Sequence, residues 1–119
     1  MTWQTVERRI KNTIVPPNIS ILKCNGKDRR RVVSNNGNNI SMKTGVKTAQ
    51  TKAITYSMIK YAYNTLISKK CFDSNNFRYK FQSEYDAGPC RYSMVGGILV
   101  ELGIARQIAK GQSCYYEKI

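Results

Sequence analysis

Trp3, Val6, Ile10 and Ile14 recur at steps of three to four residues, the spacing of one face of an α-helix. Arg8, Arg9 and Lys11 fall on its other faces, and Pro16-Pro17 ends it, because proline lacks the backbone donor a helix needs. The pattern then changes period. Ile19 and Ile21 alternate with Ser20 and Leu22, so Asn18 to Cys24 reads as a strand. Asn25-Gly26 is a hairpin signal, since both residues tolerate positive φ. Arg29 to Ser34 reads as the return strand, Asn35 to Asn39 as a second turn, and Ile40, Met42 and Thr44 as the inward positions of a third strand. Gly45 to Lys52 is polar, basic and expected to be a loop.

From Thr55 the helical period returns. Met58, Ile59, Ala62, Tyr63, Leu66 and Ile67 form a buried stripe closed by Lys69 and Lys70, where cations suit the helix C-terminus. Cys71 to Phe77 predicts a turn into a short element with Asp73 or Ser74 as N-cap. Tyr79 to Pro89 has no clear period. Val95, Ile98, Leu99 and Leu102 make a last helical stripe, with Gly103 at the position that ends it. Gly96-Gly97 weakens that helix by about 1–2 kcal/mol, which points to close backbone packing there. Ile104 to Ala109 and Ser113 to Ile119 flank Lys110-Gly111-Gln112 as a strand, tight turn and strand. The expected fold is α+β: an N-terminal helix, a three-stranded antiparallel meander, then helices and a C-terminal β-hairpin. It is read as one domain, with a basic half at 1–52 and a second half at 53–119.

Charge separates the two halves. The chain has 119 residues, 20 Lys and Arg against seven Asp and Glu, and a net charge of +13. From residue 8 to residue 52 there are eleven basic residues and a single acid, Asp28. Such an excess attracts polyanions. No histidine is present, which excludes Ser-His-Asp hydrolysis, Cys-His proteolysis and His-ligated zinc. Glu84 and Asp86 stand close together, but without the further acid and lysine of a metal-dependent nuclease. No phosphate-cradling glycine loop occurs. Cys24, Cys71, Cys90 and Cys114 lack the paired spacing of a zinc site. The sequence therefore predicts four reduced thiols, with a disulfide framework as the alternative, and no metal, no cofactor and no catalysis by this chain alone. The longest uncharged apolar stretch is seven residues, Met94 to Val100, so no membrane span or membrane partner is expected. The N-terminus has no apolar run after its charges, so a cytoplasmic location is expected.

Helix, short element, helix, hairpin over residues 54–119 resembles the order of a winged helix-turn-helix. Over most of the chain the arrangement also resembles DNA-reading, non-catalytic modules of bacterial restriction endonucleases, especially modification-dependent ones. That likeness rests on a basic β-rich segment, then Ile54 to Leu66, then Arg91 to Leu102. It implies a DNA reader beside a separate nuclease domain or partner, or a homodimer, and transfers no base-pocket residue.

The residues that would carry binding are then definite. Arg29, Arg30 and Arg31 are the sharpest basic run. In a strand Arg29 and Arg31 share one face about 7 Å apart, within reach of successive phosphates, with Arg30 on the other. Lys23, Lys27, Lys43, Lys47 and Lys52 extend the same basic segment. Arg91, Tyr92 and Ser93 open the last helix, where a helix-turn-helix meets base edges; Ser93 could instead be only an N-cap and Arg91 a surface charge. Arg106 and Lys110 belong to the hairpin. The asparagines of 35–39 read either as adenine-pairing groups or as ordinary turn residues. Of Tyr115-Tyr116, one ring faces in, and the outward ring could stack on a base. The expected function is duplex DNA binding within a restriction or regulatory system. The alternatives are an RNA-binding protein and a structural subunit, of phage or plasmid type, that binds an acidic protein.

Overall fold

The computed structural model describes residues 1–43 and 50–119. Thr44 and Lys47 lie outside the described residues. Helix α1 (Trp3–Thr13) starts where the Thr2 side chain accepts from the Thr5 amide, and it buries Val6 and Ile10. Strands β1 (Ser20–Leu22), β2 (Arg29–Asn35), β3 (Asn39–Lys43) and β4 (Thr51–Thr55) form an antiparallel sheet in that order.

The meander therefore has four strands among the described residues, not three. Thr51 and Lys52 fall in the polar, basic stretch expected to be a loop, and Ile54 is the one buried side chain from Thr51 to Thr55. Pairing with β3, from Lys43 opposite Thr51 to Asn39 opposite Thr55, makes it a strand. The turn between β1 and β2 is wider than a two-residue hairpin. Asn25 Oδ1 accepts from the amides of Lys27 and Asp28, both at 2.9 Å, and Gly26 takes φ 73°.

Helix α2 (Tyr56–Lys69) begins directly after β4, and Thr55 Oγ1 accepts from the Met58 amide at 3.2 Å. Met58, Ile59, Ala62, Tyr63 and Leu66 of the expected stripe are buried and Tyr56 and Thr65 join them, whereas Ile67 is 42% exposed. Strand β5 (Cys71–Phe72) leads into α3 (Ser74–Lys80), which Asp73 and Asn76 close with a capping box. Helix α4 (Gln82–Ala87) occupies the stretch that had no clear period. Helix α5 (Cys90–Glu101) is followed by β6 (Ala105–Lys110) and β7 (Ser113–Lys118). These strands and β5 form a second sheet, ordered β5-β7-β6.

Helix α5 is the centre of the molecule. Every residue from Tyr92 to Leu99 is buried, so the helix has no wide polar face. A Cβ at Gly96 would enter the Tyr116 ring of β7, and one at Gly97 would collide with Ile21 of β1. The two glycines thus let α5 press against both sheets, one glycine per sheet. One continuous apolar core joins α1, both sheets, α2, α3 and α5.

A covalent link runs across the same arrangement. Cys24, after β1, forms a disulfide with Cys114 of β7, leaving Cys71 and Cys90 free. This corrects the expectation of four reduced thiols. The partners stand 90 residues apart in the chain, and only the packing of the two sheets on α5 brings them together. Gln107 of β6 donates to the carbonyl of Lys23 at 3.0 Å beside it.

Candidate nucleic-acid interface

The period of β2 sorts its three arginines. Arg29 and Arg31 are exposed and Arg30 is buried, as strand alternation requires. Ser20 pairs with Arg31, and Val32 pairs with Met42. Arg31 and Lys43 each lie one residue beyond the Val32–Met42 pair on these adjacent strands, and Lys43 pairs with Thr51. A row Ser20, Arg31, Lys43, Thr51 therefore crosses the outer face of the sheet. Beside it Ser41 pairs with Ser34 and with Ala53. Ser20, Ser41 and Thr51 beside the two cations are small, while Arg29 and the 42% exposed Val33 flank Arg31 along β2.

The charges on this face differ in their freedom. Arg29 donates to Ser20 Oγ and to the Ser20 carbonyl, both at 2.9 Å, and reaches Glu101 at the end of α5 at 3.2 Å. Arg31 and Lys43 have no carboxylate partner; among the described residues the ion pairs are Arg29–Glu101 and Arg106–Glu117. Lys27 is exposed and Lys23 half-buried at the β1–β2 turn.

The remaining expected residues lie elsewhere. Lys52 faces inward beside Met42, and its Nζ lies 3.4 Å from the Ala87 carbonyl. Arg91 is half-buried and spends its guanidinium on two backbone carbonyls, Ala53 at 3.0 Å and Glu84 at 3.2 Å. Tyr92 is buried and donates to the Cys114 carbonyl at 2.8 Å. Ser93 is buried too, accepting from Arg30 Nη1 at 2.9 Å and donating to the Cys90 carbonyl at 3.0 Å. The start of α5 is therefore not an exposed reading surface, and Ser93 is not its N-cap, a position held by Pro89. The reason is the sheet: β1, β2 and β4 cover the side a groove-reading helix would present.

Arg106 is engaged by Glu117 at 3.0 Å, and Lys110 is exposed at the hairpin turn. The structure thus brings Arg29, Arg31 and Lys43 together on the outer face. On the inner side Arg30 meets Ser93, and Lys52 and Arg91 both approach Gly88.

The asparagines of 35–39 serve the fold. Asn35 Nδ2 donates to the Ile14 carbonyl at 2.8 Å and its Oδ1 accepts from Tyr56 at 2.6 Å. Asn36 Oδ1 accepts from the amides of Asn38 and Asn39. Tyr116 is the inward ring of its pair and Tyr115 the half-exposed one.

Burial perturbs the groups inside. It holds the Arg30 guanidinium below its ordinary range, with Cys90 and Tyr116 opposing in part. It pushes the phenols of Tyr92 and Tyr116 well above theirs. The small residues Ser20, Ser34, Ser41 and Thr51 were not singled out from the sequence; Ser34 pairs with Ser41 only because the β2–β3 register shifts between Val32 and Ser34, and Thr51 lay in the stretch read as a loop.

Among the described residues no group of three or more His, Cys, Asp or Glu side chains could hold a metal ion. Among them, too, no helix is long and apolar enough to cross a membrane. Comparison with family models, with curated proteins and with solved structures returns no match.

Proposed function

We propose that this chain binds nucleic acid, duplex DNA before RNA, by laying the outer face of the β1–β4 sheet along the phosphate backbone. The observation that carries this reading is that Arg31 and Lys43, each one residue beyond the Val32–Met42 pair on adjacent strands, have no carboxylate partner and are flanked by Ser20 and Thr51. Two cations so placed suit phosphate oxygens and displace counterions on binding. The face presents no aromatic ring among the described residues, so it lacks the stacking platform that single strands use. Backbone grip rather than base reading is the chemistry it offers. Lys27 at the β1–β2 turn adds a further charge.

Changing Arg31 and Lys43 to Ala together should weaken binding to all duplexes alike. It should also flatten the slope of log affinity against log salt by about two units. Fluorescence anisotropy with a labelled duplex across a salt series measures both. A slope that stays the same would remove these residues from the interface. No binding to duplex or single strand at low salt would reject the reading and leave an acidic protein as the partner.

A further inference from the structure

We propose that the cleft between the end of α2 and the end of β7 is a docking site for an acidic segment of another protein, anchored by one bulky apolar side chain. The site uses neither Arg31 nor Lys43 and stands independently of the nucleic-acid reading.

Ile67 begins the argument. The helical period of α2 places it on the buried stripe, yet it is exposed. Six large apolar side chains are exposed among the described residues, and three of them, Met1, Ile67 and Ile119, line one cleft of about 290 Å³. Tyr63 and Ile104, both buried, complete its apolar wall. Single exposed apolar residues are ordinary, but a cluster with a polar rim marks a contact surface. Hydrogen bonds hold the walls in place. Tyr63 Oη donates to the Met1 carbonyl at 2.6 Å. The Ile119 amide donates to the Ile104 carbonyl at 3.1 Å, and the Lys118 amide to the Lys70 carbonyl at 2.9 Å. A cleft of this volume lies just below the range of small-molecule sites. It suits a single anchoring side chain, the usual centre of a protein contact.

Charge specifies the rest of the occupant. Lys118 and Ile119 also line an adjoining cleft of about 590 Å³, together with Lys69, Lys70 and Tyr115. Lys69 and Lys70 are exposed and Lys118 is half-buried. None of the three has a carboxylate partner, because the ion pairs among the described residues are Arg29–Glu101 and Arg106–Glu117. Glu117 stands in the same cleft, but Arg106 engages it at 3.0 Å. Lys70 Nζ reaches the Ile67 carbonyl at 3.4 Å. Three such cations beside an apolar cavity call for carboxylates flanking a Leu-like or Phe-like side chain. A duplex backbone offers the charges but no apolar anchor. A second copy of this chain, at +13, would bring like charges together.

Fluorescence anisotropy with a labelled peptide, Leu at its centre and Glu and Asp on both sides, tests this. Saturable binding is expected, weakened about tenfold in Ile67→Ser and again in the double variant Lys69→Gln, Lys70→Gln. Replacing the central Leu of the peptide by Ser should cost as much, and Ile67→Ser should then add nothing further. Val33→Ser, an exposed apolar residue of β2, should leave binding unchanged. Thermal melting checks that each variant folds. Should Ile67→Ser not fold, the Ser peptide carries the same test, and Lys69→Gln alone replaces the double variant if needed. Absence of saturable binding, or equal affinity for the Leu and Ser peptides, overturns the proposal. So does an effect of the lysine changes on a labelled duplex and not on the peptide, which gives these cations to nucleic acid. Sedimentation showing a dimer that Ile67→Ser dissolves overturns it too, and assigns the cleft to a second copy.

Discussion

Arg91 shows how a residue's role is decided by what it touches. On sequence grounds it could have read a base or floated as a surface charge, but its guanidinium ties α5 to the carbonyls of Ala53 in β4 and Glu84 in α4. Arg91→Ala should therefore lower folding stability by about 1–3 kcal/mol, the usual cost of removing hydrogen bonds from a charged group. Chemical denaturation reads this directly; a variant as stable as the parent would mean that the two carbonyls are satisfied otherwise. Tyr92 gives a residue-scale pH dependence. Burial raises its folded pKa above the unfolded value of about 10, because the phenolate would be desolvated. The neutral phenol also donates to the Cys114 carbonyl. A group with a raised folded pKa contributes its stability fully below the unfolded pKa and loses it as pH climbs toward the folded one. Stability should thus fall above about pH 10, and the fall should be shallower in Tyr92→Phe. Urea melts from neutral to strongly alkaline pH check the difference in slope.

At the scale of elements, α5 explains why two sheets can share one helix. Gly96 faces Tyr116 and Gly97 faces Ile21 and the Leu22 carbonyl. A side chain at either position would force a sheet away. Gly97→Ala should cost about 1–3 kcal/mol through overpacking, and more if β1 cannot retreat. Gly103→Ala meets nothing within 4 Å and carries only the strain of φ 73°, so its cost should stay near about 1 kcal/mol. Comparing the two melting curves separates packing from backbone conformation. The same burial pattern was partly legible beforehand. Met94 to Val100 is apolar without a polar face, which marks an interior helix rather than a groove reader. Strand β4 was less legible, because Thr51-Lys52-Ala53-Ile54-Thr55 has weak apolar alternation and owes its structure to β3. Helix α4 buries no residue of its own among the described residues, so no hydrophobic period announced it.

For the molecule as a whole, the Cys24–Cys114 disulfide closes a loop of about three-quarters of the chain, its partners 90 residues apart. In the chain-entropy view, a loop of that size contributes about 4 kcal/mol by restricting the unfolded state. Cys24→Ser or reduction should lower stability by about that much, while Cys71→Ser should not. Equilibrium unfolding with and without reductant distinguishes these, and equal stability would show that packing alone holds the sheets together. The sequence by itself determined the local elements: the α1 stripe, the arginine alternation of β2, the α2 stripe and its Thr55 cap, the paired glycines and the C-terminal hairpin. Each follows from period, capping or turn chemistry within a few residues, which a linear chain records. It also determined the polyanion-seeking charge. Tertiary structure alone decided that Arg30 would be buried against Ser93, that Tyr92 and Ser93 would be interior, that Arg31 and Lys43 would lie on adjacent strands, and that Cys24 would meet Cys114. Those outcomes depend on which surfaces of distant segments pack together, and no local pattern encodes that.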